Sequence, residues 1–400
     1  TVEDWEAKSR WFAEVNAEQF QANEEIRRKV EELTAGAETE REKIAAITHW
    51  VANNIRYSGV SMGEGEGYTL HPGPMVWRNR AGVCKDKAGM AITMLRAAGF
   101  EVWPAMTMAG SRVERVPADQ FNHCVAAVRR DDGEFLMVDP TWVPFSRELW
   151  SSAEGEQHFL VGTAEGESLA KMPTYDPHDH RLTVTSEAEL HEDGSLSGTL
   201  TITGHRYSDQ RIRRQLLQTL GSNDRQAWFE EIVSRLGPGA RVEPVEASTE
   251  RILDLSKPLS LKIRYEVPRF AIVTGDAMLF SPPAARHLIT TGSLAPYLGY
   301  DSPAERKHPI LTWAPRMRVA RGTLRLPEGY AVAHLPEARS MEGEAASLQA
   351  RAEAGEGELR YEMSLAIRER EIPVAHQDTL REMITTAKQL PGDLVVLERR

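Results

Sequence analysis

The hydrophobic period of the sequence changes at Gly99. Before that glycine, apolar residues recur at helical spacing and predict a buried helix that begins near Cys84, at Ala88, Ala91, Ile92 and Leu95. After it, "EVWPAMTM", "FNHCVAAVRR" and "EFLMVDPTW" are short β-type runs, and "RDDGE" between the last two indicates a tight hairpin. Helices followed by antiparallel strands predict an α+β fold.

The residues before Cys84 are mostly helical in pattern. One amphipathic helix is expected around Phe20 to Leu33, and a second runs through Ile44 to Ile55, with Thr39 and Glu42 as a capping box. Residues 59–74 contain five glycines and two prolines. Neither a helix nor a β-sheet tolerates so many glycines and prolines, so we expect a loop. This loop is a candidate lid beside Cys84.

The sequence changes character after "PTYDPHDH". "RLTVTSEAEL" and "SLSGTLTITG" alternate apolar and polar residues around "HEDG", which predicts a hairpin with one solvated face. Further alternating runs extend to the end, with helices expected at 207–220, 225–236 and 376–390. We therefore expect two parts: an α+β domain at 1–172 and a β-rich, sandwich-like region at 173–400 with inserted helices and one or two subdomains.

Composition excludes several classes of function. The chain has 400 residues, 41% hydrophobic and 27% charged, with a net charge of −11. A globular chain with this charge repels nucleic acid, so no nucleic-acid partner is expected. No apolar run approaches the ~20 residues that cross a bilayer, and no signal segment is visible, so no membrane span is expected. Two cysteines cannot form a disulfide scaffold for this length.

Cys84 is a candidate nucleophile. A thiol in the first turn of a helix lies near unpaired backbone N–H groups and the positive end of the helix dipole, and both favour the thiolate. Gly82 and Val83 allow close backbone approach, and the same amides could stabilise an oxyanion. Lys85 and Lys87 add positive charge unless they point to water. The alternative is an inert, buried cysteine, the usual state of a free thiol.

His123 and Asp139 are the candidate partners of Cys84. In a hairpin closed by "RDDG" these two residues lie at the same open end of adjacent strands. A thiolate that attacks an amide needs a base, and the base needs a group that orients it. Taken singly, His123 could be a core histidine and Asp139 a turn residue before Pro140. Together with Cys84 they indicate a Cys-His-Asp triad.

Three blocks in this order resemble the transglutaminase-like superfamily, which has a papain-related fold: "GVCKDKAGMAITMLRAAGFEVWPA", "FNHCVAAV" and "FLMVDPTW". The resemblance covers residues 40–165. It implies that Cys84 is the nucleophile, His123 the general base and acid, and Asp139 the orienting carboxylate. "CKDKA" and the β-rich second half resemble a bacterial group with β-sandwich-like modules, which implies export or a periplasmic location. Val83 departs from that group, in which aspartate is frequent.

Four further residues could shape an oxyanion or substrate pocket, although each has a structural alternative: Trp77, Val83, Asn122 and Trp142. Trp77 could donate its indole N–H to the oxyanion, but packing between loop and helix is favoured. Cys124 neighbours His123 on a strand and should face the core. Cys84, Cys124, His123 and His71 lack the spacing of a zinc site, so no metal or other cofactor is expected.

The expected function is cysteine-dependent acyl transfer on peptide or protein amides, through a thioester at Cys84. Hydrolysis and transamidation share every step up to the thioester. Hydrolysis, by a protease or amidase, is slightly favoured. The alternative is a non-catalytic binding or scaffold module that keeps the fold. A fast-reacting thiol that depends on His123 would distinguish the two.

Overall fold

The computed structural model describes residues 2–58, 67–109, 113–218, 222–245, 249–290, 306–312 and 314–400. The chain divides into two compact units, Thr1–Thr174 and Tyr175–Arg400. Helices and strands both contribute to each unit, so the α+β class is confirmed. Among the helices of these described ranges, none has both the length and the apolar character that crossing a membrane requires.

The helices described in the first unit are α1 (Trp5–Glu14), α2 (Glu24–Thr34), α3 (Glu40–Asn54), α4 (Gly73–Asn79) and α5 (Cys84–Ala97). Side-chain oxygens of Asp4, Asn23 and Thr39 accept hydrogen bonds from the first turns of α1, α2 and α3. The capping box of Thr39 and Glu42 is present as predicted. Each cap satisfies amide groups that the helix itself leaves unpaired.

Helix α5 is the central element of this unit. It packs on α2, α3 and α4 and on the sheet, and its residues from Lys85 to Leu95 are all buried. The predicted stripe therefore understates its burial, because helices cover the face that the sheet leaves open. Gly99 follows the helix with φ +91°, the left-handed conformation of a C-terminal stop.

The strands of the first unit form one antiparallel sheet and a short parallel pair. The pair consists of β1 (Arg56–Tyr57) and β2 (Ala81–Gly82). The five-stranded sheet has the order β5-β4-β3-β6-β7, from β3 (Val102–Thr107), β4 (His123–Arg129), β5 (Phe135–Val138), β6 (His158–Val161) and β7 (Ala170–Lys171). The predicted hairpin joins β4 to β5, with Gly133 at φ +85°.

The loop expected at 59–74 is only partly described. Residues 59–66 lie outside the described ranges, so the candidate lid cannot be placed. At the other end the prediction is wrong, because Gly73 and Pro74 begin helix α4. A proline in the first turn of a helix removes an N–H that has no intrahelical acceptor, so it does not disrupt the helix.

The second unit contains an eight-stranded sheet of order β10-β11-β9-β8-β15-β19-β18-β17 and a four-stranded sheet of order β12-β13-β21-β16. The strands of the unit are β8 (Leu182–Leu190), β9 (Leu196–Gly204), β10 (Arg241–Val242), β11 (Ser260–Val267), β12 (Ile272–Thr274), β13 (Ala277–Phe280), β14 (Ile310–Leu311), β15 (Arg316–Arg325), β16 (Tyr330–His334), β17 (Arg339–Glu342), β18 (Ala346–Ala354), β19 (Glu358–Ile367), β20 (Glu371–Ile372) and β21 (Val395–Arg399). β8 and β9 form the predicted hairpin, which turns at Gly194.

Helices cover part of the large sheet in the second unit. They are α6 (Tyr207–Gln218), α7 (Ser222–Ser234), α8 (Thr249–Leu253), α9 (Pro283–Thr290) and α10 (Gln377–Gln389). Helix α6 contacts β9, α7 contacts β10 and β11, α9 contacts β15 and β19, and α10 contacts β18. Buried residues of both sheets and of these helices form one hydrophobic core. The predicted helices near 207, 225 and 376 are thus part of this core.

Candidate active site

Cys84 is the first residue of α5, as the sequence predicts, and its side chain is partly exposed. The turn before it depends on Asp86, whose carboxylate accepts the Val83 N–H at 2.9 Å and faces His71 Nδ1 at 2.7 Å. Gly82 lies so close to this carboxylate that a Cβ atom there would stand 2.4 Å from the Asp86 Cβ. Gly82 is therefore required by close approach at the start of the helix.

His123 and Asp139 come together at one end of the β4–β5 hairpin. His123 Nε2 lies 3.0 Å from Asp139 Oδ2, and Asp139 is fully buried. The other oxygen, Oδ1, accepts the backbone N–H groups of Thr141 at 2.8 Å and Trp142 at 3.4 Å. These bonds hold the carboxylate in place beyond the end of β5. Because Nε2 faces Asp139, Nδ1 is the ring nitrogen that remains for Cys84.

His123 interacts with the Cys84 thiol and, with its neighbours, lowers the pKa of that thiol. Burial raises the pKa of this thiol, but the hydrogen bond and charge of His123 and the backbone N–H groups of Cys124 and Lys85 outweigh burial. Burial lowers the pKa of His123, whereas the charge and hydrogen bond of Asp139, and then Cys84, raise it overall. The two groups therefore favour a thiolate–imidazolium pair.

Glu154 is a second buried carboxyl group beside His123, and no sequence pattern predicted it. It belongs to a short 3₁₀ turn at Ser152–Glu154, is 2% exposed, and places Oε1 3.5 Å from His123 Nε2. Burial and the adjacent charge of Asp139 raise its pKa well above the ordinary value, and an oxygen of each carboxyl group lies within 4.8 Å of the other. Burial raises the pKa of Asp139 as well, but His123 lowers it overall.

These opposite shifts place the proton of the carboxyl pair on Glu154. No donor of the described residues serves either Glu154 oxygen. A protonated carboxyl group in that position is itself the donor, and Asp139 remains the carboxylate that faces His123. No sequence signal marked Glu154, because "SSAEGEQ" has neither the periodicity of a helix nor that of a strand.

Within the residues that the structure describes, the group that could hold a metal ion differs from the zinc set considered from the sequence. His123, Asp139 and Glu154 each offer a ligand atom, and these atoms lie within 4.8 Å of one another. In the set weighed earlier, His71 faces Asp86 and Cys124 is buried in the hydrophobic core. One imidazole and two carboxylates suit a divalent ion in principle.

Lys85 and Lys87 do not point to water, which corrects that alternative. Lys85 is 7% exposed and donates to the Gly67 carbonyl at 3.1 Å. Lys87 is 2% exposed and donates to the carbonyls of Ala52 and Ile55, next to the C-terminal end of α3. Burial lowers the pKa of Lys87 to about 8, against the charge of Asp139. Lys87 thus joins α5 to α3.

Three of the four pocket candidates use their polar groups in hydrogen bonds to other residues. The Trp77 indole N–H donates to Glu25 at 2.8 Å, and its ring stacks on Trp50, which matches the packing alternative. The Val83 N–H is occupied by Asp86. Asn122 exchanges hydrogen bonds with the backbone of Ala109.

Trp142 is the pocket candidate that lies beside His123. Its ring stands 6.4 Å from the His123 ring at an interplanar angle of 66°, and the residue is 44% exposed. An exposed indole next to the imidazole can shield it from water and offers an apolar surface to a substrate. Cys124, one residue after His123, lies in the core with a raised pKa, caused first by burial.

Comparison with known proteins supports the fold of both parts. Over its whole length the chain aligns with a structure described as a "putative protease" from Parabacteroides distasonis ATCC 8503, with a TM-score of 0.58 and 11% identity. The chain spans 59% of that protein. A second structure, a "putative cysteine protease" from Cytophaga hutchinsonii, has a TM-score of 0.25 and 20% identity, over 31% of this chain and 39% of that one.

Two family models match different parts of the chain. No curated protein matches the sequence. Residues 277–397 match a domain of unknown function, DUF3858. Residues 27–140 match the transglutaminase-like superfamily, and this stretch includes Cys84, His123 and Asp139. The chain therefore contains a domain of the transglutaminase-like superfamily.

Proposed function

We propose that this domain catalyses cysteine-dependent acyl transfer on peptide or protein amides, with Cys84, His123 and Asp139 as the catalytic triad. The observation that carries the proposal is the pairing of His123 with Asp139, with 3.0 Å between Nε2 and Oδ2, together with the interaction by which His123 lowers the pKa of the Cys84 thiol. The opposite pKa shifts of the thiol and the imidazole support the same pairing. Such shifts are typical of a reactive cysteine.

In the proposed reaction the Cys84 thiolate attacks the amide carbonyl carbon and forms a tetrahedral intermediate. The backbone N–H of Cys84, in the first turn of α5, has no intrahelical acceptor and can donate to the oxyanion. The His123 imidazolium then gives its proton to the departing amine as the C–N bond breaks. The acyl group remains on sulfur as a thioester.

A second nucleophile resolves the thioester. Water attacks the carbonyl carbon while His123 accepts its proton, and the bond to sulfur breaks to give a carboxylic acid and the thiolate. An amine in place of water would give transamidation. The triad residues are partly to fully buried, but Cys84 itself is partly exposed, so solvent can reach the acyl group. We favour hydrolysis for that reason.

Glu154 has a positioning role in this proposal. A protonated Glu154 that donates to Asp139 fixes the carboxylate opposite His123 without adding a second negative charge. If Glu154 were ionised, its charge would oppose the thiolate, since the charge of Cys84 raises the pKa of Glu154. Trp142 would lie along the substrate beside His123.

The test is the rate at which iodoacetamide alkylates Cys84 at about pH 6, followed by mass spectrometry of the peptides. We expect rapid labelling of Cys84 that falls at least about tenfold in His123→Ala. Cys124, buried and with a raised pKa, is the internal control and should stay unlabelled. Equal, slow labelling of the unmodified chain and the variant would instead favour the scaffold alternative.

A separate experiment tests the substrate class and the acyl acceptor. A peptide library is incubated with the intact protein and with Cys84→Ala, and acyl adducts are sought by mass spectrometry. An adduct on Cys84 that water releases as a free acid supports hydrolysis, whereas release only by added amine supports transamidation. A reactive thiol that never acquires an acyl group from any peptide would contradict the proposed substrate class.

A further inference from the structure

The second unit contains a cavity that the proposed reaction does not use. Its volume is about 190 Å³, and helices α6 and α7 and strand β15 contribute to its wall. Much of the wall is hydrophobic, from Leu182, Ile202, Ile212, Trp228 and Ile232. A dry cavity of ~150 Å³ is enough to hold benzene, so this one can hold an aromatic ring with a short substituent.

The arginines of the wall interact with neighbouring residues. Arg235 Nη2 lies 2.6 Å from a carboxylate oxygen of Glu231. Arg211 Nη1 donates to the Tyr207 hydroxyl at 3.3 Å, and the Arg316 guanidinium stands 5.9 Å from the centroid of the same ring. Since these groups already have partners, they do not require an anion in the cavity.

His180 provides an independent sign that the cavity takes a ligand. It contributes to the wall, is 1% exposed, and contacts the rings of Tyr175 and Tyr207 edge-on. Among the residues that the structure describes, neither ring nitrogen of His180 has a hydrogen-bond partner. Buried polar groups in native proteins usually have a partner, because leaving one unsatisfied is costly. A ligand in the cavity can supply that partner.

The imidazole of His180 suits an uncharged polar group. Burial lowers the pKa of His180 to about 4, helped by the charges of Arg206 and Arg316 and opposed by Asp179. At neutral pH the ring therefore has one nitrogen that donates a hydrogen bond and one that accepts. A hydroxyl group both donates and accepts, so it can pair with either ring nitrogen.

We propose that this cavity binds a small neutral compound that carries a hydroxyl group on a hydrophobic body. The hydroxyl group would pair with His180, and the body would pack on Trp228 and the aliphatic side chains of the wall. A mostly apolar wall with a few polar groups is usual in ligand sites. The inference concerns the second unit and does not depend on the reaction proposed for the first.

The test compares two ligands on two proteins, so that the contribution of one pair of groups is isolated. Benzyl alcohol and ethylbenzene have the same number of non-hydrogen atoms, and only the alcohol carries a hydroxyl group. Both are titrated by ligand-observed NMR against the full chain and against His180→Leu. We expect saturable binding of the alcohol. In His180→Leu its affinity relative to ethylbenzene should fall about fivefold, the effect of one neutral hydrogen bond.

His334→Leu is the matched control, because His334 is exposed and lies outside the cavity wall. Its affinity ratio should equal that of the unmodified chain. Circular dichroism checks that each variant is folded.

Two further measurements do not depend on the folding of His180→Leu. Ile232→Phe places a larger side chain in the wall and should weaken both ligands at least about fivefold. On the unmodified chain, phenylacetate should bind no more tightly than benzyl alcohol, because nothing in the proposed pairing requires a negative charge.

Four results would overturn the proposal. The first is the same affinity ratio in folded His180→Leu and in His334→Leu, which would separate the hydroxyl group from His180. The second is no saturable binding of benzyl alcohol up to about 10 mM, below which a specific site of this kind should be detectable. The third is unchanged binding in folded Ile232→Phe, which would place the ligand elsewhere. The fourth is clearly tighter binding of phenylacetate, which would assign the cavity to anions.

Discussion

At the scale of single residues, the site depends on where one proton lies. Asp139 and Glu154 are both buried, with an oxygen of each within 4.8 Å of the other, and ionising two adjacent carboxylates together in a buried site is costly because their charges repel. Asp139 has the better partners, since it accepts two backbone N–H groups and faces His123. These partners favour the proton on Glu154, which leaves one negative carboxylate in the proposed triad.

Glu154→Gln tests this assignment. The amide has nearly the same size as the acid and can still donate to Asp139. The pH midpoint of Cys84 alkylation should therefore stay within about half a unit of the unmodified protein. Removing an ionised Glu154 would instead lower that midpoint by about one unit or more, because a negative charge beside the thiolate would be lost. Glu134→Gln, an exposed glutamate in the same domain, is the control.

At the scale of elements, the start of α5 determines where the thiol lies. Asp86 holds the Val83 N–H and faces His71, so the turn before Cys84 is tied both to the helix and to the segment that precedes α4. Lys87, one turn on, donates to the carbonyls of Ala52 and Ile55 next to the end of α3. The charged residues of "CKDKA" therefore form hydrogen bonds with backbone groups and do not form a solvated face.

Gly82→Ala should disturb this turn. The new Cβ would meet the Asp86 side chain at its own Cβ, at 2.4 Å, and this part of a buried helical residue cannot move aside. We expect a loss of about 1–3 kcal/mol in stability and slower alkylation of Cys84. Thermal unfolding and the iodoacetamide rate measure the two effects.

Gly36→Ala is the control for that variant, because Gly36 is exposed and a Cβ there would have no atom within 4 Å. Its stability and thiol reactivity should match those of the unmodified chain. If Gly82→Ala behaves like Gly36→Ala in both measurements, the contact between Gly82 and Asp86 does not position the nucleophile.

Local patterns predicted most elements near the site. The capping box at Thr39, the stop at Gly99 and the turn at Gly133 each depend on a few adjacent residues, so they can be read directly. The start of α4 at Gly73 could not, because proline and glycine also mark loops and only packing distinguishes the two.

At the scale of the whole molecule, the two units carry different chemistry. The first holds the proposed triad around α5, and the second holds buried histidines in a β-rich core. Burial lowers the pKa of both His180 and His287 to about 4, with Arg206 and Arg316 acting on the first and Arg235 on the second. In the unfolded chain both groups regain an ordinary pKa near ~6.5.

Acid should therefore destabilise the second unit. Between about pH 6.5 and pH 4 the unfolded chain binds protons that these folded histidines do not bind, so the free energy of unfolding falls as the pH falls. Each group can contribute about 3 kcal/mol to that loss. Urea unfolding at the two ends of this window should show a smaller loss for His180→Gln.

His334→Gln controls for the change of residue type, since His334 is exposed. Its unfolding should keep the full dependence on pH. If His180→Gln lost as much stability in acid as His334→Gln does, His180 would not be a source of the effect.

The amino-acid sequence by itself determined the local elements and the order of the three chemical residues. Periodicity and turn residues depend on neighbours along the chain, so the helix that begins at Cys84 and the hairpin between His123 and Asp139 could be read from it. Only the tertiary structure decided the protonation and the surroundings of the site. Glu154 reaches His123 from a short turn, and Trp77, Val83 and Asn122 give their polar groups to other partners. The same holds for the arginines around His180, because their elements are distant in sequence and burial there depends on how helices and sheet pack.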